Sequence, residues 1–85
     1  MNKVNEIMIT WEDNYFILEE LVYSGRLYRV KTCIDKVWEE RRFYSKKRVI
    51  SFYRSVRQKV VGANHGSLLE YQYKVDYERL VKVLA

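Results

Sequence analysis

The sequence predicts a mainly helical α+β domain, with three helices followed by a short strand and a C-terminal helix. Three observations predict it. Apolar residues recur at spacings of three and four between Trp11 and Val60, the period of a helix face. After Gly66 the period changes to two, as in a half-buried strand. The chain has only 85 residues, against about 100–200 for a usual domain, so residues 1–85 are read as one unit.

Helix one is expected at Trp11–Tyr23. Thr10 can cap it, and Asp13 stands at the capping-box position, where an acid suits the positive end of the helix dipole. Trp11, Tyr15, Leu18 and Val22 form its apolar stripe, with Leu21 beside them. Ser24-Gly25 stops it, glycine being the natural left-handed cap. Helix two is expected at Val30–Arg42, where Val30, Cys33, Ile34, Val37 and Trp38 follow the helical pattern. Ser45 is a good N-cap for helix three at Lys46–Lys59. Its buried stripe is Val49, Tyr53, Val56 and Val60, and its opposite stripe is Lys47, Ser51, Arg54 and Gln58. A loop follows at 62–67. Leu69, Tyr71, Tyr73 and Val75 then alternate with Glu70, Gln72 and Lys74 as a strand, and Asp76 caps a last helix, Tyr77–Leu84.

Composition excludes several classes. Apolar residues make up 48% and charged residues 32%, too apolar for a disordered chain. A single cysteine rules out an internal disulfide and favours a reducing compartment. No stretch reaches the roughly 20 apolar residues of a membrane span, and residues 1–9 lack the apolar run of a signal peptide. A cytoplasmic protein with no membrane partner is expected.

Charge is unevenly placed. Residues 1–25 carry a net −4, residues 26–59 a net +9 and residues 60–85 zero, which sums to +5. No acid stands between Glu40 and Glu70, whereas eight cations fall between Arg41 and Lys59. Most charge runs are solvated faces, but those usually interleave both signs. An unbroken basic run repels itself, and a polyanion relieves that repulsion.

The candidate contacts are therefore basic and polar. Lys46, Lys47, Arg48 and Arg57 would hold phosphates, the first two at a helix start where phosphate binds well. Ser51, Arg54 and Gln58 would face bases, since Arg suits guanine and Gln suits adenine. Arg41, Arg42 and Lys59 would add diffuse attraction, and His65 could reach a phosphate from its loop. Five of the eight cations on phosphates would give a log–log salt slope near −4 to −5. Most aromatic residues fall on apolar stripes and read as core, including Trp38 and Tyr15; Tyr44 is the one left open. Cys33 also lies on an apolar stripe, and with His65 alone it makes neither a nucleophile pair nor a metal site, which needs about four ligands. Glu19-Glu20 and Glu39-Glu40 are sequence neighbours that point apart on a helix. No enzyme, metal or cofactor is expected.

The order helix, helix, basic helix, loop, strand, helix resembles the winged helix-turn-helix domains. The resemblance is carried by Ile17-Leu18-Glu19-Glu20-Leu21-Val22-Tyr23-Ser24-Gly25, by Ser45-Lys46-Lys47-Arg48-Val49-Ile50-Ser51-Phe52-Tyr53, and by Tyr71-Gln72-Tyr73-Lys74-Val75-Asp76-Tyr77-Glu78-Arg79-Leu80. Small excisionase-type DNA-binding proteins also end in this way, and the resemblance is to these or to a small transcriptional regulator. The resemblance implies a third helix in the major groove, a wing on the adjacent backbone, and sequence-specific binding of double-stranded DNA, as a regulator or recombination accessory factor. Partners would be DNA with a second copy or another DNA-bound protein, because one small module makes few contacts. The rival readings are a protein-interaction module that docks on an acidic partner, such as a polymerase or nuclease, and an RNA-binding protein.

Overall fold

The computed structural model describes residues 2–22, 24–61 and 67–85, with side chains for 2–22, 24–60 and 72–85. Four strands come first: β1 (Asn2–Trp11), β2 (Asn14–Val22), β3 (Arg26–Ile34) and β4 (Val37–Phe43). They form one antiparallel sheet in the order β1-β2-β3-β4. Two helices follow, α1 (Lys46–Val61) and α2 (Ser67–Leu84).

This architecture overturns the winged helix-turn-helix reading, the mainly helical class and the likeness to excisionases. Helix one and helix two are strands. The segment expected as a strand at 68–75 lies inside α2, which also absorbs the separate closing helix. The segment read as the third helix is helical, but it is the first helix among the described residues, with none of them before it forming a helix to complete a helix-turn-helix. The role of transcription regulator that rested on that motif falls with it.

The reasons are local. In β2 the covered face presents Phe16, Leu18 and Glu20, while Ile17, Glu19 and Leu21 point to the other face. Apolar residues on both faces and two adjacent carboxylates hide the period of two. Those carboxylates are buried because neighbouring strands supply cations. Arg29 binds Glu19 through two hydrogen bonds of 3.0 and 3.3 Å, with Lys31 at 3.6 Å and Lys3 at 3.9 Å. Glu20 accepts from Arg26 at 3.2 Å and from Asn5 at 3.5 Å. The turns are equally disguised. Asp35 and Lys36 both adopt positive φ, 51° and 68°, as a two-residue hairpin turn of type I′ requires. Asn-Gly or Asp-Gly usually marks that turn, and Asp-Lys does not. Glu12, at φ 55°, opens the two-residue β1–β2 turn. The Asp35 amide donates to Asn14 Oδ1 at 3.1 Å, tying both turns together at one end of the sheet.

Both helices cover one face. Ile7, Ile9, Trp11, Phe16, Leu18, Tyr28 and Val30 from the sheet pack with Val49, Tyr53 and Val56 of α1 and Tyr73, Leu80 and Leu84 of α2. The partner rings of Tyr53 are Trp11, Phe16 and Tyr77, with centroids 5.8, 5.2 and 6.4 Å away. In α2 the buried residues are spaced three and four apart (Tyr73, Asp76, Leu80, Leu84), and that spacing prevails over the alternation. Asp76, expected as a cap, is instead a buried mid-helix carboxylate that accepts from Gln72 at 3.1 Å and Arg79 at 3.3 Å. Arg79 also reaches the Met8 carbonyl of edge strand β1 at 3.4 Å, and the β4 edge carries Glu39, Glu40, Arg41 and Arg42. Charged edges of this kind discourage strand addition.

Two stability predictions follow from this packing. The Tyr53 hydroxyl is buried without a hydrogen-bond partner among the described residues, and an unsatisfied buried group costs about 1–3 kcal/mol. Tyr53→Phe is therefore expected to be neutral or stabilising by up to about 1 kcal/mol in urea unfolding, and a clear loss would show that the hydroxyl is bonded. Glu19 is held below its ordinary value near 4.5, first by its hydrogen bonds from Arg29 and against the opposing effect of burial. A carboxylate depressed in the folded state adds stability above its unfolded pKa and loses it as pH falls through the folded one. The wild type should lose stability below about pH 4.5 more steeply than Glu19→Gln, read as urea midpoints between pH 6 and 3.

Candidate nucleic-acid interface

The basic residues gather around α1 and the strand that leads into it. Val49, Tyr53 and Val56 turn inward, and Val60 is half-buried. Lys47, Ser51, Arg54 and Gln58 are exposed on the opposite side, with Lys46, Arg48, Ser55 and Lys59 also exposed. At about 100° per residue, Arg48, Ser55 and Lys59 lie toward the side of Phe52, and Arg54 and Arg57 lie toward the other side. Phe52 stands 5.4 Å from Phe43 of β4. Arg54 and Arg57 meet Tyr77 and Tyr73 of α2. The helix is thus flanked on both sides, and only its outward stripe is free.

Several cations are committed within the fold. Arg54 lies 5.4 Å over the Tyr77 ring and donates to its hydroxyl at 3.2 Å. Arg57, half-buried, lies 4.9 Å over Tyr73. Arg41 lies 5.0 Å over Phe52. Arg42 points to the other face of β4 and pairs with Glu40 at 3.7 Å. Lys46, Lys47, Arg48 and Lys59 make no ion pair among the described residues. The first turn of α1 holds no acid. His65 lies outside the described residues.

At the β4–α1 corner, Arg42, Phe43, Tyr44, Ser45 and Arg48 line a cavity of about 210 Å³. The Ser45 carbonyl accepts from the Val49 amide at 3.2 Å, so the helix begins there. Tyr44 is 80% exposed. The structure therefore gathers Arg42, Ser45 and Arg48 with the tyrosine that the sequence left open, and sets Arg54 and Arg57 apart on the α2 side.

Sequence reasoning missed the helix-free face of the sheet. Trp38, read as core, is 59% exposed. Its ring stacks on Tyr15, 5.9 Å away and 5° from parallel, across β3, where Cys33 pairs with both. Cys33 is buried, but on the face opposite the main core. Met8 is also exposed on this open face. The reversal at Asp35-Lys36 breaks the helical stripe on which Trp38 had been placed, and no turn residue pair in the sequence signals it. Among the described residues, no group of three or more His, Cys, Asp or Glu side chains could hold a metal ion. No described helix is long and apolar enough to cross a membrane.

No protein-family model, curated protein or solved structure matches this chain.

Proposed function

We propose that the chain binds double-stranded nucleic acid, duplex DNA above all, through phosphate contacts along the exposed side of α1. The observation that carries this reading is the outward surface of that helix, where Lys46, Lys47, Arg48, Ser51, Ser55, Gln58 and Lys59 are exposed and no acid interrupts them. Phosphate contacts dominate over base reading in this proposal. Arg54, the side chain best suited to guanine, is engaged by Tyr77, so Ser51 and Gln58 are left as the outward groups able to meet bases.

Fluorescence anisotropy with labelled duplex at low salt tests the proposal. Lys46→Ala and Lys47→Ala should each weaken binding alike on unrelated sequences, because a phosphate contact carries no sequence information. Absence of binding at low salt would reject the reading. That outcome would favour a protein-interaction module, for which Trp38 and Met8 on the open face of the sheet speak.

A further inference from the structure

We infer that two copies of this chain associate through the outer edge of β4, pairing antiparallel so that two four-stranded sheets become one. The partner is a second copy because the side chains of this edge match themselves when the strand is reversed. The inference does not depend on the nucleic-acid reading.

The backbone of β4 is ready to pair. The β3–β4 turn closes on Ile34 and Val37, so these two exchange hydrogen bonds and the bonded pairs alternate from there. Trp38, Glu40 and Arg42 therefore turn their N–H and C=O groups to the open edge. Among the described residues no side chain or loop bonds to that edge, whereas Arg79 covers a carbonyl on the β1 edge. Every residue of β4 except Phe43 is exposed, and Val37 and Trp38 are each 59% exposed.

Charged side chains deter a foreign apolar strand, but in β4 they stand in an order that complements its own reverse. With Glu40 on the twofold axis, Glu39 faces the partner's Arg41 and Arg41 faces the partner's Glu39. Both lie on the helix side of the sheet, and neither has an ion-pair partner among the described residues. On the other side Trp38 faces the partner's Arg42. One side of its ring lies on Tyr15, which leaves the other for a guanidinium to cover. Val37 faces the partner's Phe43. Glu40 meets its own copy at the axis, where Arg42, 3.7 Å away, and Lys31, opposite it on β3, supply compensating charge. Neighbouring registers are worse. An axis at Arg41 sets Arg41 against Arg41 and Glu39 against Phe43, and an axis at Glu39 sets Glu39 against Glu39 and Val37 against Arg41. The axis stands perpendicular to the sheet, so both copies of α1 lie on one face.

The test is sedimentation equilibrium of the full chain. One strand pair is a small interface at the weak end of the range, so the dimer is sought from about 10 µM to 1 mM. Glu39→Arg and Arg41→Glu should each weaken self-association about tenfold or more, since each sets two like-charged pairs across the axis. Mixed in equal amounts, the two variants should associate at least as tightly as the wild type, because each Arg at these positions then faces a Glu. That recovery also shows that both variants are folded. Glu40→Pro removes an N–H that points to the edge and not to β3, and should abolish the dimer with the circular dichroism unchanged. A chain that stays monomeric at the highest concentration overturns the inference, and so does a dimer indifferent to both charge reversals. If Met8→Lys breaks that indifferent dimer, the helix-free face of the sheet is the interface instead. Salt-dependent duplex binding by a monomeric chain leaves the α1 reading standing.

Discussion

Raising salt from 50 to 200 mM is expected to weaken duplex binding roughly 150-fold, a log–log slope near −3.6. The estimate comes from counting cations that are free to leave water for phosphate. Of the eight between Arg41 and Lys59, three lie over aromatic rings of the same molecule (Arg41, Arg54 and Arg57), and Arg42 shares Glu40. Lys46, Lys47, Arg48 and Lys59 remain. Each phosphate they neutralise releases about 0.9 of a counterion from B-form duplex. The sequence-based expectation of −4 to −5 counted five contacts, and the intramolecular cation–π contacts lower it. A slope near −7 would mean that the arginines leave their rings on binding. A slope near zero would show that α1 does not meet the backbone. Anisotropy titrations at four or five salt concentrations give the slope directly.

Phe16→Ala is expected to destabilise the chain by about 3–5 kcal/mol, a large share of a total stability of order 5–15 kcal/mol. Phe16 is fully buried and meets Tyr53 edge-on at 5.2 Å, with Phe52 at 6.3 Å, so truncation opens a cavity between sheet and helix. Tyr15→Ala should cost only about 1 kcal/mol, since the residue is half-buried and loses mainly its stacking on Trp38. The pair discriminates between folds. A helix at Trp11–Tyr23 puts Tyr15 on the buried stripe and Phe16 off it, so its ranking is the reverse. Urea unfolding of the two variants decides, and a Tyr15→Ala loss larger than that of Phe16→Ala would contradict the sheet.

The sequence by itself determined α1 and its polarity. Val49, Tyr53 and Val56 are buried and Lys47, Ser51, Arg54 and Gln58 exposed, because a helix whose apolar stripe is clean on one side and polar on the other states its own orientation. It also located the acid-free basic run, a property of composition that no fold can remove. Most of the cations at the proposed interface were legible for that reason. The remainder was not, because it depends on residues far apart in the chain. Glu19 and Glu20 read as helix neighbours that point apart, yet both are buried once Arg29 and Arg26 arrive from the next strand. Val30, Cys33, Ile34, Val37 and Trp38 read as one helical stripe, yet the reversal at Asp35-Lys36 sends them to different faces. Tertiary structure alone decided the sheet, because strand pairing draws its stability from cross-strand partners that no local window contains. It also decided which arginines are free, since Arg54 and Arg57 meet rings about 20 residues away in α2, and it assembled the corner cavity where β4 and α1 join.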